Sequence, residues 1–208
     1  MNEEQRLLLN SIRELANKKG IEEISFEKLR SNPDFSVPVL DKYYAEERDL
    51  VRDILTEERK MFEVIFEDHN FDGYNDAIDI LFTVVKEMST KFYNLSPSVT
   101  VQYKDIYPEV YQQHLDERAD FIFRKIQVNL RKGIYEGMYR DDVSIELVAR
   151  RYISRLMDLQ NPDTFPPESF SINTMFIQMF ESFVESIATE KGLNYFEEKK
   201  RKVKLKGK

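Results

Sequence analysis

The chain has 208 residues, of which 41% are hydrophobic, and a net charge of −7. That is length and apolar content enough for one domain of ordinary size, or a small domain attached to a larger one, with a real core. It holds no cysteine, which excludes disulfide scaffolds, thiolate nucleophiles and cysteine metal sites in one step.

The opening residues MNEEQRLLL carry no basic-then-apolar signal segment, so a cytoplasmic location is expected. The runs FIFRKIQVNL and MFIQMFESFV are both broken by polar groups. Neither approaches the roughly 20 apolar residues of a membrane-spanning helix, and no membrane association is expected. A negative net charge argues against indiscriminate binding to nucleic acid, but a local patch can still be basic. Residues 1–50 hold eight basic and eleven acidic side chains, a balance of −3, whereas the last twelve residues, EEKKRKVKLKGK, hold seven basic groups and two acids. Such a run reads as a solvated, frayed tail, with a supplementary phosphate-binding arm as the alternative.

Taken in order, the elements read as helices throughout, because apolar residues recur at helical spacing and strand-like alternation is hard to find. Leu8, Ile12 and Leu15 stripe a first helix that stops at Gly20, and Ser25 opens a short second helix with Phe26 and Leu29 pointing inward. Pro33 forbids its continuation; Ser36 is a good N-cap for a third helix, which tolerates Pro38 in its first turn and carries Val39, Leu40, Tyr43 and Tyr44. From Glu46 a long helix runs towards His69 with Leu50, Ile54, Met61 and Ile65 on one face, ending near the turn signal NFDG. Ile78, Leu81, Val85, Met88 and Phe92 mark the next helix, closed around Pro97. Tyr111, Leu115, Ala119, Ile122, Ile126 and Leu130 mark a long one ending in RKGIYEG, with a turn at 137–143. Ile145, Val148, Tyr152, Leu156 and Leu159 line the following helix, NPDTFPP is a loop, and Ile172, Phe176, Met179, Phe183 and Ile187 line the last. There Met175, Ile177, Phe180 and Val184 widen the apolar face beyond a stripe. Surplus area of this kind predicts a partner, most simply a two-fold homodimer in which two helices from each chain form a four-helix bundle. The residues expected at that interface are Tyr152, Leu156, Phe176, Met179, Phe180 and Phe183.

From the first helix to Leu50 the pattern resembles the helix-turn-helix of the tetracycline-repressor (TetR) family of one-component transcriptional regulators. The resemblance rests on a helix ending KKGIEEISFEKL, a turn, and SVPVLDKYYAEERDL at the place of the recognition helix. Gly20, Ser25, Phe26, Leu29, Ser36, Leu40, Tyr44 and Leu50 fall where that pattern wants them, and RKGIYEGMYRDDVSIELVARRYI looks like the family's link into its dimerisation helices. Three residues depart from it. Asp34 stands where glycine is preferred in the turn, Asp41 replaces a phosphate-touching tyrosine, and Glu47 replaces a lysine that does the same. Two carboxylates near a DNA backbone would oppose binding that rests on phosphate neutralisation.

The resemblance implies an all-α fold: a helix-turn-helix DNA-binding domain at 1–48, a larger helical ligand-binding and dimerisation domain at 49–195, and the basic tail at 196–208. It implies a regulator, expected to be a repressor, that binds a palindromic double-stranded operator as a homodimer and is released by a small apolar or aromatic effector. Ser36, Val37, Pro38 and Val39, in the first turn of the recognition helix, are candidates for base edges; Lys42 and Tyr43 are candidates for phosphates, with Ser25, Lys28 and Arg30 as backbone contacts from the second helix. Ordinary solvated charge would explain Lys28, Arg30 and Lys42 equally, and core packing would explain Tyr43. Phe82, Met88, Phe92, Tyr103, Tyr107, Tyr111 and Phe123 are candidates for an effector pocket, although aromatic and methionine stripes at helical spacing are more often plain core.

His69 and His114 lie in separate segments without an HExxH or ExxH motif, so they read as partly exposed polar residues and no metal or other cofactor is expected. Asp116, Glu117 and Asp120 have no paired base or nucleophile context and read as a solvated face; the expectation is no enzyme. The competing reading is a dimeric ligand-binding or interaction module that has lost DNA binding, motivated by Asp41, Glu47 and the −3 balance.

Overall fold

The computed structural model describes residues 1–68, 76–91, 102–159, 164–166 and 169–202; among these the regular elements are helices, and the one extended pairing is an isolated bridge between Tyr139 and Ala188. The helices are α1 (Glu3–Lys19), α2 (Phe26–Ser31), α3 (Val37–Tyr43), α4 (Glu47–Asp68), α5 (Ala77–Lys91), α6 (Tyr103–Ile106), α7 (Pro108–Tyr135), α8 (Ile145–Asp158), α9 (Ile172–Ile187) and α10 (Glu190–Lys202). The all-α class read from the sequence is the class observed.

The chain divides into two compact units, Met1–Phe62 with Ser96–Arg118, and Glu63–Leu95 with Ala119–Lys208. These units do not coincide with the expected spans 1–48, 49–195 and 196–208. The smaller unit does not end at residue 48, because Leu50, Val51, Ile54 and Leu55 of α4 are buried in one cluster with Leu9, Ile12, Leu29 and Leu40. Later in the chain, α6 and the start of α7 add Tyr103 and Tyr111 to the same cluster. Each such aliphatic side chain, fully withdrawn from water, contributes on the order of 2 kcal/mol.

Local signals build this unit. The Asn2 side chain accepts the Gln5 N–H at 2.9 Å and so caps α1, which ends at Gly20 with φ 99°, a conformation glycine enters without a Cβ penalty. A single 3-10 turn, Ile21–Ile24, then buries both of its isoleucines. The turn between α2 and α3 is made by Asn32, whose side-chain oxygen accepts the Asp34 N–H at 3.0 Å while its carbonyl accepts the Phe35 N–H at 3.1 Å. Of the face expected on α4, Leu50, Ile54 and Ile65 are buried, but Met61 is exposed and Phe62 takes the inward place. The Met61 sulfur lies 3.2 Å from an Arg13 nitrogen.

In the second unit the expected tail is largely a helix. Phe196 of α10 is fully buried, its ring 5.3 Å from Phe82 of α5 and 5.7 Å from Phe180 of α9. Lys199 pairs with Asp79 at 2.9 Å and Lys200 with Glu181 at 2.8 Å, so these two cations serve packing within the unit. Residues 203–208 lie outside the described ones. This helix also covers area that the sequence reading left for a partner: Phe180 and Val184 are fully buried within the single chain. The corner between α9 and α10 is stitched to the turn after α7, with Arg140 N–H donating to the Ile187 carbonyl and Thr189 N–H to the Met138 carbonyl, each at 2.9 Å.

Candidate nucleic-acid interface

Helices α2 and α3 form the helix-turn-helix pair, each with its apolar side in the core through Phe26, Leu29 and Leu40. Ser36 precedes α3 and Pro38 occupies its first turn, where a missing N–H removes no intrahelical bond. Ser36 and Pro38 are exposed and Val37 is half-buried, leaving the first turn of α3 accessible. Ser36 makes no side-chain cap; its carbonyl accepts Val39 and Leu40 N–H groups at 3.0 Å. Val39 and Tyr43, expected as contacts, are half-buried and packed against the apolar cluster.

Each expected phosphate-contacting cation has an acidic partner in the same chain. Lys28 lies 2.6 Å from Glu23, Arg30 lies 2.7 Å from Asp41, and Lys42 lies 2.5 Å from Glu4. The Tyr43 hydroxyl donates to the same Glu4 carboxylate, and the Asn2 side chain donates to the Tyr43 oxygen at 3.0 Å. The Lys42 hydrogen bond, followed by that of Tyr43, holds the Glu4 carboxyl below the usual carboxylate range. The Arg30 guanidinium also sits over the Phe26 ring, 5.0 Å from its centre. Ser25 is a weak cap, its hydroxyl 3.5 Å from the Lys28 N–H.

Glu47, expected to repel phosphate, is occupied in the fold. One of its oxygens accepts the Phe26 N–H at 2.9 Å, the first donor of α2, and the other accepts the Tyr107 hydroxyl at 2.8 Å. Burial, and then this bond to Glu47, push the Tyr107 hydroxyl up to about 12. A carboxylate at a helix N-terminus satisfies an orphan donor and meets the favourable end of the helix dipole.

The residues expected to line an effector pocket fall in both units. Tyr103 and Tyr111 belong to the core of the smaller unit and Tyr107 packs against it. Phe82 lies among the Phe180 and Phe196 rings, Met88 is half-buried on α5, and Phe123 carries the Arg150 guanidinium over its face at 5.1 Å. Phe92 lies outside the described residues. His114, expected to be partly exposed, is 5% exposed. Burial, then the charges of Arg118 and Arg59, lower it to about 4 against the opposing pull of Glu117 and a hydrogen bond to the Leu55 backbone, and its Nδ1 is buried without a partner. His69 lies outside the described residues. The sequence signal for this burial was the position of His114 three residues after Tyr111, on the inward stripe of α7.

Of the residues expected at a dimer interface, Phe180 is interior, as described. Tyr152 and Phe183 stack edge to face, ring centres 4.8 Å apart, and with Val148, Arg151, Arg155, Met179 and Ser186 they line a shallow groove of about 40 Å³ between α8 and α9. Leu156 is buried and Phe176 half-buried. Among the described residues no helix is long and apolar enough to cross a membrane.

No protein-family model and no curated protein matches the sequence. Solved structures match the fold. A transcriptional regulator from Cytophaga hutchinsonii aligns over 90% of this chain and 100% of its own, with a TM-score of 0.74 and 14% identity. SmeT, the repressor of the Stenotrophomonas maltophilia multidrug efflux pump SmeDEF, aligns over 88% of this chain and 89% of its own, with a TM-score of 0.67 and 12% identity, and it is also solved in complex with triclosan. A TetR-family regulator from Agrobacterium tumefaciens aligns over 89% and 98%, with a TM-score of 0.65 and 11% identity. The chain has the all-α fold of the TetR-family transcriptional regulators.

Proposed function

We propose that the chain is a DNA-binding transcriptional regulator, a repressor rather than an enzyme, that reads a palindromic operator as a homodimer through α2 and α3. The observation that carries this reading is the first turn of α3. Ser36, Val37 and Pro38 stand at the N-terminal end of the second helix of the pair, the position from which such helices meet base edges in the major groove. The inward engagement of Glu47 supports it, since one of the two expected repulsive charges is spent on the fold.

In this reading α8 and α9 supply the dimer contact around the groove at Tyr152 and Phe183, and a small molecule held by the larger unit biases the dimer away from DNA. Such coupling is reciprocal: operator must weaken effector binding by the factor by which effector weakens operator binding. The test is a mobility shift of DNA from around the chain's own gene across a salt series, with Lys42→Glu beside the parent. Saturable binding that falls steeply with salt and weakens in the variant is the expected result. A folded protein that binds no fragment at low salt would favour the competing reading, a dimeric interaction module without DNA binding, which draws on the acidic partners of Lys28, Arg30 and Lys42.

A further inference from the structure

The three cations that α2 and α3 would offer to a DNA backbone are held by three carboxylates of separate origin: Glu4 from α1, Glu23 from the 3-10 turn, and Asp41 from α3 itself. In each pair both side chains are about half exposed, between 39% and 58%. Pairs of this kind are hydrated and screened, add little to folding stability, and are open to exchange. A carboxylate and a phosphate present similar oxygen acceptors to an ammonium or guanidinium group.

We propose that Glu4, Glu23 and Asp41 are internal phosphate surrogates, so that DNA is bound by exchanging each carboxylate for a backbone phosphate. This rests on the DNA-binding reading above. A free cation that meets a phosphate releases a condensed counterion, and log K changes by about −0.9 per unit of log salt for each phosphate neutralised. A cation that must first leave a carboxylate gains less. The freed acid then faces the phosphate and repels it, which offsets part of the gain from counterion release. Sequence-independent affinity is thereby held down, while contacts from Ser36, Val37 and Pro38 to base edges are untouched. The acids thus set the strength of the phosphate-backbone share of affinity on any sequence.

The test uses the full chain and its Glu4→Gln, Glu23→Gln and Asp41→Asn variants, singly and combined. Glu146→Gln on α8, which breaks a pair with Arg150 and changes the net charge by the same amount, is the control. Affinity for a random-sequence duplex and for an operator-bearing fragment is measured across a salt series by fluorescence anisotropy, with helical content checked by circular dichroism. Each neutralisation at the DNA face should tighten random-duplex binding by about three- to tenfold at low salt and steepen the slope by up to about 0.9. Operator binding should tighten by a similar factor, and Glu146→Gln should change neither affinity. Operator binding by the parent with unchanged affinity and slope in all three variants overturns the proposal, as does an equal gain from Glu146→Gln. Should folded parent and variants alike bind no duplex, the DNA-binding reading itself fails and takes the proposal with it. Three independent acids guard against one substitution loosening α1 or α3.

Discussion

A methyl group at Gly133 would stand 2.1 Å from Cδ2 of Tyr139, so the α7 backbone and the Tyr139 ring touch where no side chain fits. The Tyr139 hydroxyl donates to the Asn129 side chain at 3.1 Å, and Asn129 donates to the Ala77 carbonyl at 2.8 Å, tying α5, α7 and the following turn through fully buried polar groups. Gly133→Ala should therefore cost about 2–3 kcal/mol by overpacking. Gly137→Ala, with nothing within 4 Å but φ 69°, should cost only about 1 kcal/mol of backbone strain. Thermal unfolding of the two variants side by side is the check, and equal losses would contradict the contact.

Glu47→Lys should destabilise the smaller unit and leave DNA binding no stronger. The substitution removes the acceptor of the Phe26 N–H and of the Tyr107 hydroxyl and sets a cation at the N-terminal end of α2. About 2 kcal/mol of stability should be lost, the usual magnitude for hydrogen bonds to a charged group. Denaturant unfolding measures the loss; a variant as stable as the parent with tighter DNA binding would show that Glu47 acts on phosphate instead.

His114 should give the protein an acid limb of instability. Its folded value of about 4 lies below the ordinary 6.5, so the unfolded chain takes up the proton first. Stability is fully present above pH 6.5, falls as the pH drops towards 4, and levels off for this group below that. The full span amounts to about 3 kcal/mol at most. Chemical denaturation at a series of pH values should show a shallower decline between 6.5 and 4 in His114→Gln than in the parent, and parallel curves would refute the assignment.

Phe196→Ala should cost about 3–5 kcal/mol, as expected for truncating a large ring in a closed core. The ring is fully buried and touches both Phe82 and Phe180. A melting temperature within a degree or two of the parent would mean that α10 frays in solution.

The first three helices were legible because their punctuation is local: Gly20 stops α1, Ser25 and Pro33 bracket α2, and Ser36 with Pro38 starts α3. The hydrogen bonds of Glu47 within the fold were not legible, for the opposite reason. Its partners lie 21 residues before it and 60 after it, and no periodicity connects them. Tyr103 and Tyr111 have the helical spacing of wall residues in either unit, and only the packing of α6 and α7 onto α1 and α4 decides that they belong to the smaller one. The helix at 190–202 was hidden by composition, since five basic residues from Lys191 to Lys202 outweigh one buried phenylalanine and a glycine, Gly192, at which an added methyl group would stand 2.0 Å from the Met138 carbonyl oxygen.

Asn2 both caps α1 and reaches Tyr43, while Glu4 two residues later holds Lys42. Asn2 and Glu4 are thus part of the frame around α3, so that unwinding the first turn of α1 would release Lys42 and Tyr43 together.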